Sequence, residues 1–229
     1  MTLKTSRYGL PLNVKFCSLC VMSNQKPNSS IEFKSSDAKN KTGINIEKKI
    51  CDACRYNEIK SSIDWDKREK QLINLLNKHR KNSNAYDVVV PGSGGKDSAY
   101  TAHILKYKYG MNPLTVTWAP HLFTEIGIKN FNNWMRVGGL DNLLFTPNGL
   151  LHKRLTSLAF KNLLHPFQPF IIGQKLIAPK IAEKFNIPLI MYGENQAEYG
   201  NKISENYIPK MNESFFSVKK KKDVYLGGV

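Results

Sequence analysis

The residues from Val88 to Ser98 carry the clearest chemistry in this 229-residue sequence. A short apolar run, Val88-Val89-Val90, reads as a buried strand. Pro91, Gly92, Ser93, Gly94 and Gly95 form a turn, and Lys96, Asp97 and Ser98 open a helix. Strand, glycine turn and helix is an arrangement that binds phosphate. Glycine lets backbone approach an anion closely, and the first N–H groups of the helix point at it. The Ser93 and Ser98 hydroxyls add donors and Lys96 adds compensating charge. The spacing is neither that of a Walker loop nor that of a dinucleotide-binding fingerprint.

The four cysteines form a second chemical group. Cys17 and Cys20 are one C-x-x-C pair, and Cys51 and Cys54 are another after 30 intervening residues. Two close thiol pairs supply a tetrahedral ligand set, which suits a structural Zn²⁺ with no open position. An iron–sulfur cluster uses the same ligands and is the less favoured occupant.

These groups need a frame. The sequence is +16 in formal charge, with 34 Lys and Arg against 18 Asp and Glu, and 41% of it is hydrophobic. That supports one α/β domain plus an appendage. No run of 18 apolar residues occurs and Met1–Leu10 lacks an apolar signal region, so a cytoplasmic protein with no membrane association is expected. The charge is spread along the chain without clear aromatic interleaving. Direct nucleic-acid binding is therefore disfavoured, and anionic nucleotide substrates account for part of the charge.

Residues 1–60 read as a small, polar, zinc-ribbon-like module that needs metal for stability. Residues 61–84 read as a linking helix within a helical stretch from Ile59 to Lys81. Residues 85–229 read as the catalytic domain. There strands at 86–90, 114–118, 143–145 and 189–192 alternate with helices at about 96–109, 124–137, 152–164 and 171–185. Pro179 is expected to kink or split the last of these. The alternation predicts a doubly wound parallel sheet. Ligands in such sheets sit beyond the carboxyl ends of the strands, which puts Thr117 and Trp118 where a bound ligand would rest. Gly193, Glu194 and Glu198 follow the last strand, across the crevice from the glycine turn. Two acids there could hold a divalent cation such as Mg²⁺, with Glu198 the candidate ligand. His152, Lys153 and Arg154 begin a helix with positive charge, which calls for a compensating anion; a solvated basic turn is the alternative. The sequence stops at Tyr225-Leu226-Gly227-Gly228-Val229, which reads as an element cut short.

Ser93-Gly94-Gly95-Lys96-Asp97-Ser98 resembles the PP-loop of the ATP pyrophosphatases, which split ATP into AMP and pyrophosphate. Further stretches resemble the N-acetyl sugar amidotransferases of bacterial surface-polysaccharide (O-antigen) and nonulosonate pathways. These are both cysteine pairs, Val90 to Ser98, Thr115 to Pro120, Ile126-Gly127 with Asn130, and Pro147-Asn148-Gly149. Pro169-Phe170 with Gly173-Gln174, and Tyr192 to Asn195 with Glu198-Tyr199-Gly200, complete the set. The family's chains are longer, and this sequence ends where theirs continue.

The resemblance implies a PP-loop sheet that binds ATP through Pro91, Gly92, Ser93, Gly94, Gly95, Lys96, Asp97, Ser98, Thr117, Trp118 and Gly193. It implies catalytic roles for Lys96, Asp97, Glu194 and Glu198, with ATP, Mg²⁺ and structural zinc as cofactors. The implied reaction converts an amide of a nucleotide-activated N-acetyl sugar into an amidine, through an adenylylated intermediate attacked by ammonia. Ammonia would come from a partner glutaminase, with a cyclase-like channel subunit as a further partner, because all four cysteines lie in the metal pairs. PP-loop tRNA-modifying enzymes, of lysidine-synthesising or thiolating type, are the competing resemblance. A truncated remnant without activity is the third reading.

Overall fold

A computed structural model describes residues 10–26, 43–81, 83–163, 165–195 and 203–204. Two compact units divide the chain, Met1–Ile63 with Asn195–Val229, and Asp64–Glu194.

In the first unit, β1 (Ile46–Glu47) and β2 (Ile50–Cys51) pair antiparallel, and α1 (Asp52–Lys60) follows directly. Among the described residues its buried apolar centre is Cys17, Ile44 and Cys51, flanked by Met22, Ile46, Ile50, Ala53 and Cys54. So small a core gives little hydrophobic stabilisation. Asp52 adds a polar tie: it is buried, accepts from Asn45 Nδ2 at 3.2 Å and pairs with Arg55, which also pairs with Glu47.

The stretch expected as one helix from Ile59 to Lys81 is two helices. Ser61 Oγ donates to the Glu58 carbonyl at 2.6 Å and Ser62 Oγ to that of Ile59 at 2.8 Å, which closes α1. Asp64 then caps α2 (Trp65–His79) by accepting from the Lys67 N–H at 2.9 Å. Serine and aspartate compete with helix continuation here through their own hydrogen bonds.

The second unit contains α2, β3 (Val88–Pro91), α3 (Lys96–His103) with a π-helical turn at Ile104–Lys108, and β4 (Pro113–Trp118). Then come α4 (Glu125–Arg136), β5 (Asp141–Phe145), α5 (Gly149–Leu163) and α6 (Gln168–Lys184). The sheet order is β3-β4-β5, all parallel. The fourth strand expected at 189–192 is reduced to one parallel bridge, Val89 to Ile190. The Val89 N–H donates to Leu189 O and the Met191 N–H to Val89 O, both at 2.9 Å. This segment flanks β3 on the side away from β4, so the order reverses between the first and last strand, as in a doubly wound sheet.

Successive β3 side chains face opposite ways. Val88 and Val90 join Leu76, Ala102, Leu105, Phe131 and Trp134 in one core, to which Leu72 is added. Val89 joins Leu114, Val116, Ile177, Ala178 and Ala182 in the other. Helices therefore cover both faces. Pro179 does not split α6, which runs unbroken from Gln168 to Lys184. The missing N–H costs one helical bond, and burial of Ile177, Ala178 and Ala182 against β3 and β4 holds the helix in place. α5 starts earlier than expected, at Gly149, because Asn148 Oδ1 accepts from the Leu151 N–H at 3.0 Å. Among the described residues no helix is long and apolar enough to cross a membrane.

Candidate phosphate-binding site and cysteine cluster

The glycine turn is anchored from below. Its first N–H, from Gly92, donates to Val116 O at 3.0 Å, and its first carbonyl accepts from Thr117 Oγ1 at 2.7 Å. Asn142 Nδ2 on β5 donates to Thr117 Oγ1 at 3.0 Å and to Thr115 Oγ1 at 2.9 Å. The hydroxyl of Thr117 is thus turned into the sheet, where the residue is 1% exposed. Through this hydroxyl the Thr117 side chain positions the loop.

The loop is shaped by close approaches. A methyl group on Gly92 would lie 2.4 Å from Ser98 Cβ, and one on Gly94 would lie 2.8 Å from Phe131 Cα. Gly94 also adopts φ +84°, which disfavours any side chain. Gly95 differs, because a methyl there would meet nothing within 4 Å. It is the N-cap of α3, with no side-chain cap on the helix. Open backbone and uncapped N–H groups together make a cradle for an anion. Ser93 is exposed beside it. Ser98 Oγ donates to Gly95 O at 3.1 Å, which steadies the turn. Lys96 Nζ lies 2.7 Å from Asp97 Oδ1, both largely exposed.

Gly193 faces this helix start from the last strand. A methyl group on it would lie 2.7 Å from the Asp97 carbonyl carbon and 2.8 Å from the Ser98 nitrogen. The sheet thus brings Pro91 through Ser98 together with Gly193. Glu194 follows, its Oε2 3.2 Å from Lys175 Nζ. Lys175 also stands 5.3 Å from the centre of the Tyr192 ring. Burial, and then the Glu194 charge, push the Tyr192 phenol up to about 12. Glu198, the candidate magnesium ligand, lies outside the described residues. Trp118 is packed on β5 by stacking with Phe145 at 4.9 Å, and Gly173 of α6 lies against its indole.

Two contributors carry no motif: Asn142 and Lys175. Asn142 acts only through the β4–β5 register, which pairs it with Thr115. Lys175 sits one position past the Gly173-Gln174 pair. His121 follows Pro120 and sets its ring 4.6 Å from that of His152.

In the first unit all four cysteines are free thiols, and their sulfur atoms lie within 4.8 Å of one another. Cys17 to Cys54 is 3.9 Å and Cys20 to Cys51 is 3.5 Å. A zinc–sulfur bond of about 2.3 Å implies a tetrahedral S···S edge of about 3.8 Å, so the cluster fits such an ion. Burial raises the Cys17 thiol, but N–H donors from Cys51, Cys20 and Leu19 outweigh it and bring the group down to about 6. Burial and neighbouring thiols push Cys51 and Cys54 up.

No family model matches the chain. Over 118 residues the chain is 32% identical to an uncharacterized protein of Methanocaldococcus jannaschii, a match covering 51% of this chain and 37% of that protein. The chain thus spans a little over a third of the length of the curated relative it matches. Among solved structures it is similar to the NH3-dependent NAD synthetase of Campylobacter jejuni, with a TM-score of 0.44 and 17% identity over 60% of this chain and 59% of that one. It is also similar to the NMN synthetase of Francisella tularensis, with a TM-score of 0.41 and 14% identity over 67% of this chain and 78% of that one.

Proposed function

We propose that this chain is a PP-loop enzyme that cleaves ATP to AMP and pyrophosphate in order to activate an amide. The observation that carries this reading is the open Gly95 turn at the uncapped start of α3, with Gly193 packed on the Asp97–Ser98 backbone beside it. Backbone N–H groups of the loop, the Ser93 and Ser98 hydroxyls and Lys96 would hold the β- and γ-phosphates. Asp97, 2.7 Å from Lys96, would orient that ammonium. An acid beyond the last strand, for which Glu194 and Glu198 are the candidates, would hold Mg²⁺, which would stabilise phosphate charge.

The reaction proposed is amidine formation on a nucleotide-activated N-acetyl sugar. The amide oxygen attacks the α-phosphorus of ATP, and the bond to pyrophosphate breaks. Ammonia then attacks the amide carbon, a proton is lost, and AMP leaves with the former amide oxygen. Adenylylation is needed because an amide is a poor electrophile, so the enzyme mainly positions reactants and stabilises charge. A separate glutaminase would supply ammonia in the cytoplasm, since the cysteines of this sequence all belong to the cluster. Zinc on Cys17, Cys20, Cys51 and Cys54 would be structural.

The test is mass spectrometry of purified protein with ATP, Mg²⁺, ammonium and a panel of nucleotide-activated N-acetyl sugars. AMP together with a sugar in which NH replaces O is the expected result. The net charge of +16 favours a second reading, amine ligation to a tRNA base. AMP without sugar change, with tRNA retention that falls steeply as salt rises, would favour it. No AMP at all would overturn both.

A further inference from the structure

We infer that the carboxyl edge of the sheet carries a second anion-binding site, at the start of α5, for the diphosphate of a nucleotide-bearing substrate. The identity of that substrate rests on the function proposed above; the site itself does not.

α5 begins at Gly149, four residues after β5 ends, at the same edge as the phosphate loop; Asn148 takes the Leu151 N–H, so the N–H groups that would meet an anion are those of Gly149 and Leu150. A methyl group on Gly149 would meet nothing within 4 Å. His152 closes the first turn, and it supplies an independent sign of a ligand. The residue is 8% exposed, yet its Nε2 is buried with no hydrogen-bond partner among the described residues. A buried polar atom without a partner is costly and uncommon in a folded protein. The exposed His121 lays its ring 4.6 Å from it, on the loop that leaves β4.

The charge pattern agrees. α5 contains no Asp or Glu, and Lys153 and Arg154 follow His152 directly. Helical side chains tilt toward the N-terminus, so Lys153 stands in the row of Gly149 and Arg154 in that of Leu150. Cations at a helix N-terminus oppose its dipole, and an anion beside them reverses that penalty. Exposed rings border the site: Phe167 is 57% and Phe145 is 46% exposed. The His121 ring is 6.4 Å from Phe167 and 5.3 Å from Phe170. Such rings offer a stacking surface to a base or sugar, which a bare phosphate would leave unused.

The experiment is calorimetric titration of the full chain with UDP while α,β-methylene-ATP saturates the phosphate loop. Inorganic pyrophosphate runs as a parallel arm. UDP should bind, and the double variant H121A/K153A should weaken it about tenfold or more while affinity for the ATP analogue stays within about twofold. Both positions are exposed, so the variant should fold. His152 and His121 ring resonances should shift on UDP addition. Absence of UDP binding at millimolar concentration, its loss when the analogue is present, or its indifference to the variant would each overturn the site. Pyrophosphate binding as tightly as UDP would overturn the nucleotide-bearing ligand. A chain that binds UDP here but forms no AMP would remove the enzymatic reading and keep this site. AMP formation without UDP binding would do the reverse.

Discussion

Gly193 and Asp97 touch so closely that a methyl group on Gly193 would lie 2.7 Å from the Asp97 carbonyl carbon. The last strand segment and the helix bearing the phosphate loop are therefore fixed against each other, backbone to backbone. In Gly193→Ala neither neighbour is the flexible end of a side chain, so the strand must move away from α3. Such overpacking costs about 1–3 kcal/mol. Thermal unfolding should register that loss, and AMP formation should fall with it. Unchanged values of both would show that the contact is looser than described.

Asp97 itself tests the loop. Its carboxylate is 60% exposed and meets Lys96. Asp97→Ala should leave folding intact and lower AMP formation by roughly a hundredfold or more, the scale of losing one preorganised electrostatic group. Circular dichroism checks the fold and AMP release checks the site. Wild-type turnover in a folded variant would remove Asp97 from the machinery.

Thr117 should act through the loop rather than on ATP. Its hydroxyl donates to Gly92 O at 2.7 Å and accepts from Asn142 at 3.0 Å. Thr117→Val keeps the shape but leaves both partners unsatisfied in a buried place, at about 1–3 kcal/mol. The expected signature is a raised KM for ATP together with lower stability. A variant as stable as wild type would show that the two partners find other bonds.

These contacts differ in how far they could be read from the chain. Ser93 through Ser98 and the two cysteine pairs announce themselves, because local spacing alone brings those groups together. The alternation of strands and helices was equally plain, since Val88–Val90 and Leu114–Trp118 must be buried. Asn142 was silent: its partners are set by strand register, which no local pattern encodes. The break between α1 and α2 did leave a signal, Ser61-Ser62 followed by Asp64 as a helix cap, but the apolar spacing across it masked it. The last strand was overread, because Leu189–Tyr192 has strand composition yet forms a single bridge. Lys175 was silent too: it meets Glu194 from α6, nineteen residues upstream, and no local pattern encodes that contact.

The cysteine cluster predicts its own collapse. Cys17 is 1% exposed and accepts N–H bonds from Leu19 at 3.4 Å and Cys51 at 3.3 Å. Cys17→Ser should lose stoichiometric metal and open residues 43–63 to proteolysis, since so small a core cannot hold alone. Metal content by mass spectrometry and limited proteolysis read the two effects. Because ligands bind as thiolates, wild-type metal affinity should also fall as pH falls. A serine variant that retains one equivalent of zinc would contradict the four-sulfur site.

Tyr192 offers a test with a sign. Its hydroxyl is buried without a partner among the described residues, and burial with the nearby Glu194 charge pushes its phenol up to about 12. Folding thus favours the neutral phenol. The stability this contributes is complete below the ordinary phenol value of about 10 and is lost as pH rises through the folded value. Tyr192→Phe removes an unsatisfied hydroxyl and keeps a ring beneath Lys175, 5.3 Å away. The variant should be more stable by about 1 kcal/mol at neutral pH. It should also lack a late-titrating tyrosine in an alkaline absorbance scan and lose less stability between pH 10 and 12. A less stable variant would mean that the hydroxyl is already bonded. A stable variant that binds ATP or sugar nucleotide poorly would mean instead that the hydroxyl is held for a ligand, beside Gly193 at the mouth of the crevice.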